Sequence, residues 1–205
     1  MTTSTPSPAP GDLVAQLGTA APNDQARALA ALVTMGAAAT PALLAALPGA
    51  VAQSRAQIAQ ALAEIADPAT VDTLALLLGE SDPQVRGRGA EGLALLDDPR
   101  ALDALALTLD DLPDLLRWPY TVAVYLLIER GTAALPTVAT LLGAPDPITR
   151  TRAFQVLRDV LLRERGEAAW QALIANLGAL DSYGADPGNL AVTARWQAWL
   201  AAGGR

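Results

Sequence analysis

Apolar positions recur three and four residues apart along most of the chain, and the whole pattern repeats at a fixed spacing. Segment 67–111 shows it best, as a short helix, a turn, a longer helix and another turn. Arg55 and Arg86 mark the spacing, 31 positions apart. At that offset Leu62 falls on Leu93, Ile65 on Leu96, and Leu74 on Leu105. Helix pairs that repeat every ~20–50 residues predict a solenoid.

Equivalent positions of successive repeats form apolar rows. In the longer helices these rows are Ala59, Ala90, Thr121 and Phe154; Leu62, Leu93, Val124 and Leu157; and Ile65, Leu96, Leu127 and Val160. In the shorter helices they are Val71, Leu102 and Leu135, and Leu78, Leu109 and Leu142. Positions three apart share one helical face, so each pair has an apolar stripe that only stacking can bury. We predict about five pairs, the fourth from about 119 to 142 and the fifth from about 147 to 177.

Two segments fall outside the repeats. Residues 1–10 are rich in Ser, Thr and Pro, which predicts a disordered lead-in before a single domain over residues 11–205. A final helix at about 189–202 carries Trp196 and Trp199 on one side. Solenoids need capping at their ends, so we interpret this helix as a C-terminal cap. A partner-binding anchor is the alternative, because tryptophan is common at binding hot spots.

Four arginines share one register of the repeat, namely Arg55, Arg86, Arg117 and Arg150. Two of them end an Asp-Pro-x-x-Arg motif that begins at Asp82 or at Asp146. With the Ala/Gly-rich helix that follows, this motif resembles HEAT repeats, particularly the short HEAT-like repeats related to phycobilin lyases. The resemblance covers about residues 11–180. It implies an all-α fold, a right-handed α-solenoid of about five HEAT-like helix pairs with a C-terminal capping helix.

The same resemblance implies a structural role for six residues. In that family the arginine and the aspartate form a hydrogen-bond ladder between neighbouring repeats. The corresponding residues here are Arg55, Arg86, Arg117, Arg150, Asp82 and Asp146. Val51 and Pro113 stand where two further aspartates are expected, so the ladder is expected to be incomplete there.

Charge and composition narrow the classes of partner. The net charge is −7 and lysine is absent, which argues against a nucleic-acid binder. Residues 1–114 hold 5 Arg and 14 acidic residues (−9), whereas residues 115–205 hold 9 Arg and 7 acidic residues (+2). Apolar runs are too short for a membrane span. The absence of cysteine and of a signal-peptide pattern predicts a cytoplasmic protein.

The residue inventory removes most catalytic chemistry. Without His, Cys or Lys the chain has no Ser-His-Asp or Cys-His arrangement, no His/Cys metal set and no phosphate-binding Gly-Lys-Ser/Thr loop. The acidic residues lie at predicted helix caps and turns, and they lack the spacing of a calcium loop. We therefore predict no catalytic residue, no cofactor and no metal.

What remains is a binding surface. In a HEAT-like stack the second helix of each pair lines the concave side, and aromatic and arginine side chains there concentrate binding energy. The candidate partner-binding residues are Trp118, Tyr120, Tyr125, Arg152, Arg158 and Arg88. We predict a non-catalytic scaffold or adaptor that binds another protein. A lyase-like enzyme subunit and a nucleic-acid binder remain alternatives, and Trp118 and Tyr120 filling a gap left by Pro119 is a structural alternative for those two side chains.

Overall fold

The computed structural model describes residues 8–184 and 186–204, and this part of the chain is built from helices without a strand. The all-α prediction is confirmed. The helices are α1 (Pro10–Gln16), α2 (Pro22–Met35), α3 (Thr40–Ala46), α4 (Ala52–Ile65), α5 (Val71–Leu77), α6 (Pro83–Leu95), α7 (Ala101–Leu107), α8 (Val122–Glu129), α9 (Leu135–Leu141), α10 (Pro147–Leu177) and α11 (Pro187–Ala201). Short 3₁₀ turns cover Gly36–Ala38, Leu47–Gly49, Pro68–Thr70 and Gly131–Ala134. Most of the predicted lead-in, residues 1–7, lies outside the described residues.

The chain forms two compact units. The first, Met1–Asp98, contains α1–α6, and the second, Pro99–Arg205, contains α7–α11. The prediction of one domain over residues 11–205 stays a prediction.

The predicted apolar rows contribute to the cores of these units, although Ile65, Val71, Leu78, Leu96, Leu102 and Phe154 are only half-buried. One row is fully buried throughout, comprising Leu62, Leu93, Val124 and Leu157. Ala59, Ala90 and Thr121 from the neighbouring row are equally buried. Burial of a leucine side chain stabilises the fold by about 1.5–3 kcal/mol, so these residues stabilise the packing of the helices within each unit.

Four of the five Asp-Pro pairs of the chain begin a helix or a 3₁₀ turn. The side chains of Asp67, Asp82, Asp146 and Asp186 each accept a hydrogen bond from a backbone N–H of the first turn that follows. A carboxylate at this position satisfies one of the orphan N–H groups at a helix start. The pair at Asp98 differs, because α7 begins at Ala101.

In the first unit, α6 packs closely against its neighbours because it carries glycines on the contact face. A Cβ on Gly89 would lie 2.7 Å from the carbonyl oxygen of Leu74, and one on Gly92 would lie 2.8 Å from the Leu74 methyl groups. These glycines therefore allow the backbones of α5 and α6 to approach.

In the second unit, α8 begins later than predicted. The repeat predicts a start at about residue 119, but the helix begins at Val122. The Thr121 side chain accepts a hydrogen bond from Val124 N, and Tyr120 N donates to Arg117 O at 2.8 Å. The residues before Thr121 thus form a turn, and this turn replaces the predicted first helical turn.

The C-terminal helix joins an aromatic cluster. The Trp196 ring is tilted against Trp170 at 5.5 Å and meets Trp199 edge-on at 5.8 Å, and Trp170 lies 5.9 Å from Phe154. Trp196 is fully buried, and its indole N–H donates to Gly178 O at 2.9 Å. Trp196 is therefore a core residue, and its interpretation as an exposed partner anchor is wrong. Trp199 is half-buried, with the guanidinium of Arg165 over its ring.

Within the described residues, no single helix is long and apolar enough to cross a membrane. One helix pair, Pro22–Ala38 with Thr40–Gly49, is long and apolar enough when its two members are taken together, but it is bent by 115°.

Candidate binding loop in the second unit

The connection between α7 and α8, residues 110–120, exposes three large apolar side chains. Leu115 is 91% exposed, Leu116 is 94% exposed and Trp118 is 58% exposed. We call this segment the 110–120 loop. Exposed apolar residues scattered singly are common, but three within four positions form a local cluster that marks a candidate interaction site.

The backbone of the 110–120 loop is held in one conformation. Asp114 N donates to Tyr120 O at 2.9 Å, and Val122 N donates to Leu112 O at 3.2 Å, so the two sides of the loop are bonded to each other. Leu112 adopts a positive φ of 49° and turns its side chain into the core. The loop is therefore an ordered element that presents its tip to solvent.

Two of the predicted aromatic residues support this loop. The rings of Tyr120 and Tyr125 stack with centroids 4.9 Å apart and planes 18° apart. The Tyr125 hydroxyl donates to Asp114 Oδ2 at 2.9 Å, and Leu116 N donates to Asp114 Oδ1 at 2.9 Å. The Leu116 amide first and the Tyr125 hydroxyl second lower the pKa of Asp114, because both bonds favour its charged form.

A second polar group connects the tyrosine pair to α10. The Tyr120 hydroxyl donates to Asp159 Oδ2 at 2.6 Å, and Gln155 Nε2 donates both to that hydroxyl (2.9 Å) and to Asp159 Oδ1 (2.8 Å). The hydrogen bond to Asp159 raises the pKa of Tyr120, because a tyrosinate could not make it. Both tyrosines thus lie at the base of the loop, with their hydroxyls engaged.

Arg152 reaches the loop from α10 and is 5% exposed. Its Nε donates to Pro119 O at 3.1 Å, and Nη1 forms an ion pair with Asp110 Oδ1 at 2.5 Å. Its guanidinium carbon lies 5.3 Å from the ring centroid of Trp118, within cation–π range. The structure therefore places Arg152 beneath the loop, in contact with Trp118.

The other two predicted arginines are separate from these contacts. Arg158 has an exposed side chain, with Nη1 3.9 Å from Asp159 Oδ1. Arg88 belongs to the first unit and forms an ion pair with Glu91 at 2.6 Å. Partner binding by all six predicted residues stays a prediction.

Comparison with known proteins identifies the repeats. The family model described as HEAT repeats matches residues 40–124. This part of the chain consists of HEAT repeats. The prediction of HEAT-like repeats is thereby confirmed, and the fold class is an all-α solenoid.

A solved structure shows a wider but weaker likeness. The complex of CpcE and CpcF of phycocyanin lyase from Nostoc sp. PCC7120 matches with 23% identity and a TM-score of 0.43, over 92% of this chain and 98% of that chain. A TM-score this low supports no argument about function. No curated protein sequence matches the chain.

In three of the repeats the arginine of the shared register contacts the turn before its own helix. Arg55, Arg86 and Arg150 each donate to two backbone carbonyls that lie five to seven residues earlier in the chain. The acceptors are Pro48 and Ala50, Glu80 and Ser81, and Ala144 and Pro145 respectively. Arg55 also pairs with Glu80 at 2.8 Å, and Arg150 donates to Ser182 O at 2.8 Å.

The remaining members of the predicted ladder lie at helix starts or in the loop. Asp82 and Asp146 cap α6 and α10. Arg117 is exposed in the 110–120 loop, and the nearby Tyr125 hydroxyl raises its pKa because it favours the charged guanidinium. A ladder between neighbouring repeats stays a prediction, and the contacts above fix each turn to the helix that follows it.

Sequence reasoning missed Leu115 and Leu116, together with the anchors Asp110, Gln155 and Asp159. The signal for the leucines was present, because a Leu-Leu pair lies between Pro113 and Pro119, where no helix continues.

The part of the chain that the structure describes holds no group of three or more His, Cys, Asp or Glu side chains suited to a metal ion.

Proposed function

We propose that this protein is a non-catalytic scaffold and that the 110–120 loop is its binding surface for another protein. The observation that supports this most directly is the exposure of Leu115, Leu116 and Trp118 on a loop whose other groups are bonded internally. When a partner covers water-exposed leucine and tryptophan side chains, the free energy of the system falls, which favours binding. Tryptophan is also the residue type most enriched among binding hot spots.

The size of the cluster fits a hot spot rather than a whole interface. Burial of a large apolar side chain contributes about 1.5–3 kcal/mol, so the three side chains contribute roughly 5–9 kcal/mol before any costs. Association costs about 4–15 kcal/mol in lost motion. A stable complex therefore needs further contacts around the loop, as a typical interface of ~800 Å² per partner supplies.

The fixed conformation of the loop lowers the entropic cost of association. Two backbone hydrogen bonds across the loop and the stacked pair of Tyr120 and Tyr125 hold its conformation. A partner then has less loop entropy to overcome, which is the general advantage of preorganised binding surfaces.

Charge around the tip indicates the chemistry of the partner. Arg117 lies between Leu116 and Trp118 and is exposed. The Tyr125 hydroxyl and the Asp114 carboxylate lie near its guanidinium but leave the side chain exposed. We expect a partner with an apolar pocket and a carboxylate at its rim, because such a group would face Arg117.

A matched pair of variants tests the proposal. The loop variant is Leu115→Ser/Leu116→Ser/Trp118→Ser, and the control is Leu76→Ser/Leu107→Ser, at leucines that are 78% and 66% exposed elsewhere. Each immobilised protein is used to capture partners from a lysate of the source organism, after circular dichroism has verified the fold. We expect a protein that wild type and control retain and that the loop variant loses. Retention by all three, or loss by both variants, would contradict the proposal.

A further inference from the structure

From the geometry we infer that Arg152 is the positioning residue of the binding loop, since its guanidinium holds Trp118 in one orientation before a partner arrives. This inference rests on the proposed function for its biological meaning. Its structural content, the restraint of Trp118 by Arg152, can be measured without any partner.

One guanidinium joins the two ends of the loop. Asp110 begins the loop and pairs with Nη1 of Arg152 at 2.5 Å. Pro119, near the end of the loop, accepts from Nε at 3.1 Å, and the adjacent Trp118 ring lies over the same guanidinium at 5.3 Å. Thr149, one helical turn earlier on α10, donates to the second carboxylate oxygen of Asp110 at 2.5 Å. Asp110 is therefore oriented from two sides, and it orients Arg152 in turn.

The contacts need arginine rather than another cation. Nε and Nη1 donate in different directions from one rigid plane, and the face of that plane meets the indole ring. A lysine ammonium is a point charge on a flexible stem, so it cannot bond the carbonyl and the carboxylate and also stack. The side chain of Arg152 is 94% buried, and a buried guanidinium is tolerated only when it is paired.

The consequence is a Trp118 side chain that is exposed and yet restrained. Without the guanidinium, rotation of the ring is opposed by fewer contacts, and a partner must order the side chain itself. Ordering one side chain of this size on binding weakens affinity by about 2- to 10-fold. We therefore expect loss of Arg152 to weaken the affinity for the partner by about 2- to 10-fold, while the leucines of the loop remain exposed.

Fluorine NMR of the full chain labelled with 5-fluorotryptophan measures the restraint. The four tryptophans give four resonances, and Trp118→Phe assigns one of them. In Arg152→Met and in Arg152→Lys we expect the Trp118 resonance to move and also to narrow, because a ring that is no longer restrained rotates more freely, and the other three resonances to stay. Arg158→Met, on the same helix, is the matched control and should leave Trp118 unchanged. An unchanged Trp118 resonance in folded Arg152→Met would overturn the inference.

A milder variant covers the case in which Arg152→Met fails to fold. Asp110→Asn removes the ion pair but keeps the volume, and Asp110 lies at the protein surface. We expect a smaller shift of Trp118 in the same direction, and no shift in this variant would likewise overturn the inference.

Partner capture separates this inference from the proposed function. A displaced Trp118 resonance with capture weakened 2- to 10-fold supports both. A displaced resonance with full capture supports the restraint of Trp118 but contradicts its contribution to affinity, and the loop variant then decides the proposed function separately. An unchanged resonance overturns the positioning role, whatever the capture experiment shows.

Discussion

Gly89→Ala in α6 tests the packing of the repeats, because two opposing effects meet at one position. The added Cβ would lie 2.7 Å from the carbonyl oxygen of Leu74 and 3.0 Å from the Cβ of Leu77, both on α5. These atoms are close to the backbone, so the clash is relieved only if α5 and α6 separate. Overpacking of this kind costs about 1–3 kcal/mol. Replacement of a helical glycine by alanine stabilises the helix by about 0.5–1 kcal/mol. Because the nearest atom is a backbone oxygen, the cost lies in the upper part of this range (about 2–3 kcal/mol), and we expect a net loss of about 1–2.5 kcal/mol in the free energy of unfolding.

Urea unfolding followed by circular dichroism measures this loss. Every tryptophan and tyrosine of the chain lies in the second unit, so intrinsic fluorescence reports on that unit, whereas dichroism at 222 nm reports on both. Gly11→Ala in α1 is the control, because nothing lies within 4 Å of the added Cβ. It should leave the stability unchanged or raise it slightly. A Gly89→Ala protein as stable as the wild type would refute the close approach of α5 and α6.

Three further predictions concern the second unit. Thr121→Ala removes the cap of α8 and a second hydrogen bond to a buried carbonyl, and should lower the free energy of unfolding by about 1–3 kcal/mol in urea titration; an unchanged midpoint would argue against the cap. Trp196→Phe leaves the half-buried Gly178 carbonyl without its indole donor, removes volume from a fully buried site and should cost about 1–3 kcal/mol by the same assay, whereas equal stability would place Trp196 outside the core. The raised pKa of Tyr120 means that the folded state holds this proton more tightly, so its contribution to stability is complete below about pH 10 and is lost as the pH rises through the folded-state pKa. Between about pH 9 and 11 the fall in stability should be shallower in Tyr120→Phe than in the exposed control Tyr183→Phe, and identical slopes would contradict the hydrogen bond to the carboxylate.

Much of the fold follows from short-range pattern in the sequence. The 31-residue offset aligned Leu62 with Leu93 and Val124, and all three are fully buried. The Asp-Pro pairs at Asp82 and Asp146 marked helix starts that the structure contains. Both features depend on contacts within one or two helical turns, so a local pattern is sufficient to indicate them.

The binding loop depends on contacts that no local pattern records. Arg152 is one of the arginines that the sequence predicts on the concave surface. Its side chain is buried instead, because the 110–120 loop covers it and supplies an acceptor 42 residues away in Asp110. The sequence shows a Leu-Leu pair between two prolines, but its exposure follows from the fold of the loop.

The most direct test of the proposed binding surface is site-specific photocrosslinking at the tip of the loop. A benzophenone amino acid replaces Leu116 in one protein and Leu76, which is similarly exposed in the first unit, in another. Both proteins are irradiated in cells of the source organism, and the products are identified by mass spectrometry. We predict that position 116 yields a distinct adduct with one other protein and that position 76 does not. Identical adduct patterns at the two positions, or none at 116, would contradict the account.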